Sequence, residues 1–348
     1  MSTFQDLKRW LAGGSAFMEQ RDTDLRGQVA LITGGTRGLG FLLAREFARE
    51  GCKLVICARD EAELARVKPE MEGWGAEVLT IQCDVSDKAQ VDSMIEQANG
   101  RFGRVDILVN NAGVIMVGPY HEMKLADYEQ AMGIMYWGVV YTTQAVLPQM
   151  RQRHSGRIVN ITSVGGKVPV PHLLPYVSAK FAATAYSDGL RAEIAGEGIS
   201  VTTIAPGLMR TGSYLNAYFK GEQEQELTWF GLGDNTPLIS MDAERAARQI
   251  VTAAKNREAG RILSIPANLA ALIYGLFPTV TPDIAGFVNR VILPKPGGAG
   301  PQKSRGMAVN ERKPRPLFNA LTVLGQLAAK RLNQYPGPLS VLNKTHKA

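Results

Sequence analysis

Ser163 lies at the end of an apolar, strand-like run, and Tyr176 and Lys180 follow a Gly-rich connection, four positions apart. On a helix, residues i and i+4 sit one above the other on the same face. A phenol beside an ammonium is a proton donor whose anion the neighbouring charge stabilises, so the Tyr176 pKa is expected to fall from about 10. A hydroxyl at the strand end would hold a carbonyl oxygen within reach of that phenol. This is acid–base machinery for reducing a carbonyl or oxidising an alcohol. None of the three groups transfers hydride, so the chemistry requires a cofactor site elsewhere in the chain.

The apolar run 28–32 leads into Thr33-Gly34-Gly35-Thr36-Arg37-Gly38-Leu39-Gly40, and an apolar helical pattern at 41–47 follows at once. Strand, glycine turn and helix together make a phosphate-binding turn credible. The glycines let backbone approach a pyrophosphate, and the helix N-terminus offers free N–H groups. A second strand, 53–57, ends at Ala58-Arg59-Asp60. An acid at this strand end would select NAD through a ribose 2′-OH, whereas Arg accommodates a 2′-phosphate. Ala58 holds the position, with Arg59 beside it and Arg37 offered by the glycine loop, so NADP(H) is favoured over NAD(H). Asp60 and Glu63 read as a capping box for the next helix.

Further strands at 78–83, followed by Asp84-Val85, and at 105–109, followed by Asn110-Asn111-Ala112-Gly113, alternate with helices at 61–72 and 88–101. A long helix, 124–152, precedes strand 157–161 and the Ser163, Tyr176, Lys180 centre. Strand 200–204 ends in Ala205-Pro206-Gly207-Leu208-Met209-Arg210-Thr211, where backbone can lie against a nicotinamide carboxamide. Residues 212–238, polar and aromatic with Gly breaks, suit a mobile lid over a substrate. Ser240 is expected to cap a helix at 243–256, and 260–265 gives a last strand. The pattern predicts an α/β fold, a Rossmann-type doubly wound parallel sheet of about seven strands with ligands at the strand C-terminal ends, and a helical C-terminal extension.

Taken together, Thr33-Gly34-x-x-x-Gly38-x-Gly40, Asp84, Asn110-Asn111-Ala112-Gly113, Ser163, Tyr176-x-x-x-Lys180 and Pro206-Gly207 resemble the short-chain dehydrogenase/reductase family, over about residues 26–266. The resemblance implies that Tyr176 is the general acid/base, that Ser163 positions the substrate oxygen, and that Lys180 holds the nicotinamide ribose and lowers the Tyr176 pKa. It implies a cofactor lined by Gly34, Thr36, Arg37, Gly38, Leu39, Gly40, Arg59, Asp84, Val85, Asn110, Asn111, Ala112, Gly113, Tyr176, Lys180, Pro206, Gly207 and Thr211, with Asp84 near the adenine. Homodimers or homotetramers are common in the family. One position departs: the family commonly places an Asn in the long helix, supporting a water chain to the lysine, and here Met135 stands there. A thioether accepts weakly and donates nothing.

The rest of the composition bounds the reading. Three cysteines, Cys52, Cys57 and Cys83, show no metal-ligand spacing, and no metal is expected. They suit a reduced, cytoplasmic protein. No secretory signal is visible, and the longest apolar run, 269–277, is far short of a membrane span, leaving peripheral contact as the one membrane role. The net charge of +7 belongs to the tail: residues 295–348 hold ten Lys/Arg and one acid, and the remainder 29 basic and 31 acidic residues. That placement argues against a nucleic-acid partner.

Four regions are expected: an appendage (1–26) with a short amphipathic helix around 4–11, the catalytic domain (27–266), an apolar helical subdomain (267–294), and a basic tail (295–348). In the tail, 295–315 reads as a linker and 318–332 as an amphipathic helix. The apolar segment suits a cover over a cleft or a subunit interface, or else a lipid surface. Two function classes stay open: an NADP-dependent reductase of lipophilic carbonyl compounds, and a catalytically weak NADPH-binding regulator or scaffold.

Overall fold

The computed structural model describes residues 23–334. The helix expected around 4–11 lies outside them. Seven strands form one parallel sheet: β1 (Val29–Thr33), β2 (Lys53–Ala58), β3 (Val78–Gln82), β4 (Ile107–Asn110), β5 (Gly156–Ile161), β6 (Ile199–Pro206) and β7 (Gly260–Leu263). Their order is β7-β6-β5-β4-β1-β2-β3, so β1 pairs with both β2 and β4. The winding reverses there, and such a reversal is where open α/β sheets bind ligands, outside the C-terminal ends of the strands.

The longer helices of the body are α1 (Gly38–Arg49), α2 (Glu61–Glu72), α3 (Lys88–Phe102), α4 (Leu125–Met132), α5 (Gly138–Gln152), α6 (Leu174–Glu193), α7 (Gln223–Asn235) and α8 (Ala243–Lys255). Strands buried on both faces read as near-continuous apolar runs, and β1, Val-Ala-Leu-Ile-Thr, is buried throughout. Ala30 and Ile32 join the core beneath α1, α2 and α8, while Val29 and Leu31 join the core beneath α3, α5 and α6. Each buried Val, Leu or Ile among them stabilises the fold by about 1.5–3 kcal/mol. Helix α8 buries Ala243, Ala246, Ala247, Ile250, Val251 and Ala254, a helical period that makes one smooth face against α1.

Several elements differ from the sequence reading. Asp242, not Ser240, caps α8 by accepting from the Arg245 N–H at 2.9 Å; the Ser240 hydroxyl donates instead to the Thr236 carbonyl. The helix expected over 124–152 is interrupted by a π-helical turn, Gly133–Trp137, which joins α4 to α5. The stretch 212–238 is folded rather than loose: a short helix (Ser213–Asn216), a strand (Tyr218–Phe219) and α7 bury Tyr214, Phe219, Leu227 and Phe230 in a third core.

The presumed linker 295–315 contributes to that core. Ser304–Arg305 pairs antiparallel with Tyr218–Phe219, and helix Gly306–Glu311 buries Val309. Residues 318–332 form two helices, Pro316–Leu321 and Val323–Arg331, rather than one. By contrast, α9 (Ile265–Leu276) buries only Ala267 and α10 (Val280–Val291) buries nothing. The last helix among the described residues, Val323–Arg331, is α11. No helix among the described residues is long and apolar enough to cross a membrane.

Candidate active site

The glycine turn after β1 and the loop after β4 are locked together. The Thr33 hydroxyl accepts from the backbone N–H groups of Asn111 (2.9 Å) and Ala112 (3.0 Å). The Asn111 side-chain amide donates to the carbonyls of Thr33 and Gly34. Gly34 and Gly38 have φ of +64° and +57°, the left-handed region that favours glycine. Gly40 is required by packing: a Cβ there would stand 2.2 Å from the Gly34 carbonyl oxygen and 2.5 Å from the Asn111 amide. Arg37, extended at the N-cap of α1, makes no side-chain cap, so side chains leave that helix end open. Such an open end, with backbone brought close by glycines, is the donor set that suits a pyrophosphate.

At the far end of the sheet, the two arginines expected to converge are each paired with an acid. Arg37 lies 3.1 Å from Glu63, and Arg59 lies 3.8 Å from Asp84. Glu63 also accepts from the Thr36 hydroxyl at 2.8 Å. The expected capping box is therefore half made: Asp60 accepts from the Glu63 N–H, but the Glu63 carboxylate turns to the glycine loop. Asp84 is occupied by the Ser86 N–H and hydroxyl, while Val85 is buried against Gly138.

The structure brings Ser163, Tyr176 and Lys180 together. Ser163 follows β5 and its hydroxyl accepts from the Gly165 N–H at 3.0 Å, which fixes the side chain at the start of a short helical turn. Tyr176 lies in the first turn of α6, where Pro175 suits the free N–H end. Its phenol faces the Ser163 hydroxyl, which favours the ionised form. Lys180, one turn on and 5% exposed, donates to the Ile161 carbonyl at 2.7 Å, and its Nζ stands 5.8 Å from the Tyr176 ring centroid.

The electrostatics reverse the expected direction for the phenol. Burial pushes Tyr176 up to about 12, with Ser163 opposing and the Asp234 carboxylate adding to the rise. Burial also lowers Lys180 to about 8. Desolvation disfavours the charged form of each.

Asn110, which the resemblance placed along the cofactor, turns its side chain inward. Its amide donates to Asn160 Oδ1 at 2.9 Å, and its own oxygen accepts from Thr142 at 2.7 Å. Asn160 in turn donates to Ser187 on α6. Met135, 1% exposed in the π turn, lays its sulfur 3.6 Å from where a Gly113 Cβ would stand. Gly207 donates to the Leu263 carbonyl and has Ser264 and Ala267 against it; the Thr211 hydroxyl accepts from Ser213 N–H.

Three features near the site were not found from the sequence. His172, four residues before Tyr176, is buried with its Nδ1 2.7 Å from Glu226 of α7, and Trp229 donates to the same carboxylate. That pair fastens α7 to the loop leading into α6. Asp234, also on α7, accepts from the Ser213 hydroxyl at 3.0 Å, and burial raises its carboxyl to about 7. Finally, the Gly38 N–H donates to the carbonyl of Leu332 at 2.8 Å. No residue type flags any of these contacts, because the partners are distant in sequence. Among the described residues no cluster of ligating side chains could hold a metal ion.

The comparisons agree with this geometry. A family model for short chain dehydrogenase matches residues 28–218. The chain is similar to a dehydrogenase/reductase SDR family protein 7-like of Anopheles gambiae, 40% identical over 57% of this chain and 65% of that protein. It is 34% identical to 11-beta-hydroxysteroid dehydrogenase A of Sesamum indicum, over 73% of this chain and 71% of that one. Among solved structures, L-sorbose reductase of Gluconobacter frateurii, complexed with NADPH and L-sorbose, superposes with a TM-score of 0.63 at 27% identity, covering 70% of this chain and 97% of that one. On this match of sequence, sheet order and paired Tyr and Lys, the chain belongs to the short-chain dehydrogenase/reductase family.

Proposed function

We propose that the protein is an NADP(H)-dependent oxidoreductase that interconverts a carbonyl compound and its secondary alcohol. The observation that carries this reading is the placement of the Tyr176 phenol facing the Ser163 hydroxyl, with the Lys180 Nζ 5.8 Å from the centroid of the same ring. The open end of α1 and the glycine cradle fit a dinucleotide pyrophosphate; Arg37, Arg59, Asp84 and Val85 stand where the adenosine half would lie, and Asn111, Ala112, Gly113, Pro206, Gly207 and Thr211 line the nicotinamide half. A nicotinamide cofactor supplies the hydride when bound. Ser163 would orient the substrate oxygen toward Tyr176, which donates the proton in reduction and removes it in oxidation. Lys180, anchored on Ile161, would stabilise the phenolate formed in reduction. NADPH over NADH rests on Arg37 and Arg59 and is supported by the NADPH complex of the sorbose reductase.

A lipophilic substrate is supported by two observations. The hydroxysteroid dehydrogenase among the relatives is named for an apolar substrate class. On α9, Tyr274 approaches Phe181 of α6 at 6.5 Å between ring centroids, so apolar surface continues beside the helix that carries Tyr176. The exposed apolar residues of α9 and α10, such as Leu272, Phe277 and Phe287, suit contact with a second subunit in a homodimer or homotetramer, and after that a peripheral contact with lipid.

The test is NADPH oxidation across ketones and aldehydes graded by size and apolarity, with Tyr176→Phe in parallel. Turnover that rises with apolar size and is lost in Tyr176→Phe, with NADPH still bound, is the expected result. Turnover unchanged in Tyr176→Phe would overturn the assignment. The regulator reading is favoured by Met135 alone, a buried thioether where the family commonly has a polar amide; tight NADPH binding with no turnover on any compound would establish it.

A further inference from the structure

The C-terminal segment closes over the glycine turn. The Leu332 carbonyl accepts from the Gly38 N–H at 2.8 Å, at the open end of α1. The Gln334 amide lies so close that a Cβ on Gly38 would stand 2.2 Å from its nitrogen. Asn216 holds Gln334 from the other side, donating to its backbone carbonyl and to its Oε1, both at 2.7 Å. Asn216 is also 3.5 Å from Arg37.

The segment is seated, not draped. Leu332 is fully buried, and Ala328 and Ala329 are nearly so. Ala329 sits against Gly212, where a Cβ would come within 2.3 Å of the Ala329 Cβ, and Arg331 pairs with Glu244 at 3.3 Å. The segment therefore touches both flanks of the dinucleotide cradle, Gly38 on one side and the turn after Thr211 on the other. A carbonyl oxygen and a phosphate oxygen want the same N–H donor, and the two cannot share the space over Gly38.

We propose that residues 332–334 form a strap that competes with the dinucleotide pyrophosphate for the α1 N-terminus, so that cofactor binds only when the strap lifts. This rests on the dinucleotide reading of the glycine turn. The apparent affinity is then the intrinsic affinity multiplied by the fraction of molecules with the strap open. Leu332 and the alanines hold the strap through apolar contact, while Gln334 and Asn216 act as the latch. α11 stays on the body as the hinge side, and only its last turn and residues 332–334 need move.

The full chain tests this with two variants. Gln334→Ala removes one latch bond and leaves the buried Leu332 in place; the NADPH Kd by fluorescence titration should fall by about three- to tenfold. Asn216→Cys with Gln334→Cys allows the latch to be sealed by oxidation, since the three native cysteines are buried. The oxidised protein should lose NADPH binding and dithiothreitol should restore it, with crosslinking confirmed by mass. A Kd unchanged or raised in Gln334→Ala, or full binding in the crosslinked form, would overturn the strap while leaving the cofactor reading intact. Failure of the two cysteines to crosslink would remove the strap from Asn216 and overturn it as well. Absence of NADPH binding in the reduced protein, in Gln334→Ala and in the unaltered chain would overturn the cofactor reading and the strap together.

Discussion

Asn110 and Asn160 stand opposite each other on the neighbouring strands β4 and β5, and the Asn110 amide donates to Asn160 Oδ1 at 2.9 Å. Both are buried, and the chain of bonds runs on from Asn160 to Ser187 of α6 and from Ser187 to Thr203 of β6. The helix that presents Tyr176 and Lys180 is thereby bolted to the middle of the sheet by a polar network with satisfied partners. Asn160→Ala leaves the Asn110 amide and the Ser187 hydroxyl each short of a partner. A loss of about 2–4 kcal/mol in urea unfolding is expected; a loss under about 0.5 kcal/mol would mean that water replaces the amide without cost.

The pH dependence of alcohol oxidation separates a depressed Tyr176 from a raised one. A phenol pushed up to about 12 stays protonated at neutral pH, so the proton donor for reduction is always ready and the base for oxidation is scarce. Oxidative kcat/KM should keep climbing through pH 10, and reductive kcat/KM should show no loss assignable to Tyr176 below that pH. A plateau in the oxidative profile already at pH 7–8 would restore the depressed phenol that the Tyr-x-x-x-Lys spacing suggests.

Asp234 carries a signed stability prediction. Its carboxyl is near 3.8 when unfolded and is raised to about 7 by burial. Between those values the folded protein holds a proton that the unfolded chain has released, so this group lowers stability as pH rises, and the cost is complete above about 7. Asp234→Asn keeps an acceptor for Ser213 and removes the titration. The variant should be more stable by roughly 2–4 kcal/mol at pH 8, with the difference vanishing below pH 4. Equal destabilisation at both pH values would show that the carboxylate is wanted as a charge.

Glu63 sets the state of Arg37. While the two are paired at 3.1 Å, the guanidinium is shared between an internal acid and any incoming 2′-phosphate. Glu63→Ala should raise the preference for NADPH over NADH by about two- to fivefold, the scale of a partly exposed ion pair. A shift toward NADH would place Glu63 on the 2′-phosphate side as an essential organiser of Arg37.

What could be read in advance follows from how local each signal is. The run from β1 through Thr33–Gly40 into α1 declares itself because strand, glycine turn and helix are contiguous. The backbone half of the Asp60 cap was equally legible, since Glu63 N–H is three residues away. Its side-chain half was not, because the competitor is Thr36, on another loop. Asn110 was legible as a strand-end polar residue, but its inward turn depends on Asn160, fifty positions on. The stretch 295–315 looked like a linker by its Gly, Pro and basic content, and what docks it is the buried Val309, with Phe318 beyond it, and the pairing of Ser304–Arg305 with Tyr218–Phe219. The Tyr176–Lys180 spacing puts both on one helix, one turn apart, whereas the direction of the Tyr176 shift is set by burial, a property of everything packed around it.

The π turn at Gly133–Trp137 has a consequence for length. Such a turn holds one residue more than the α-helical turn it replaces, and each helical residue advances the chain by about 100°. Helices α4 and α5 therefore keep their separate buried faces, Ala131 on one and Val146, Leu147 and Met150 on the other, only because the surplus residue is absorbed between them. This is the one place in that helical stretch where the polypeptide should tolerate a single-residue deletion, straightening into continuous α-helix with both faces still inward. The same deletion a turn to either side would rotate a whole apolar face into water.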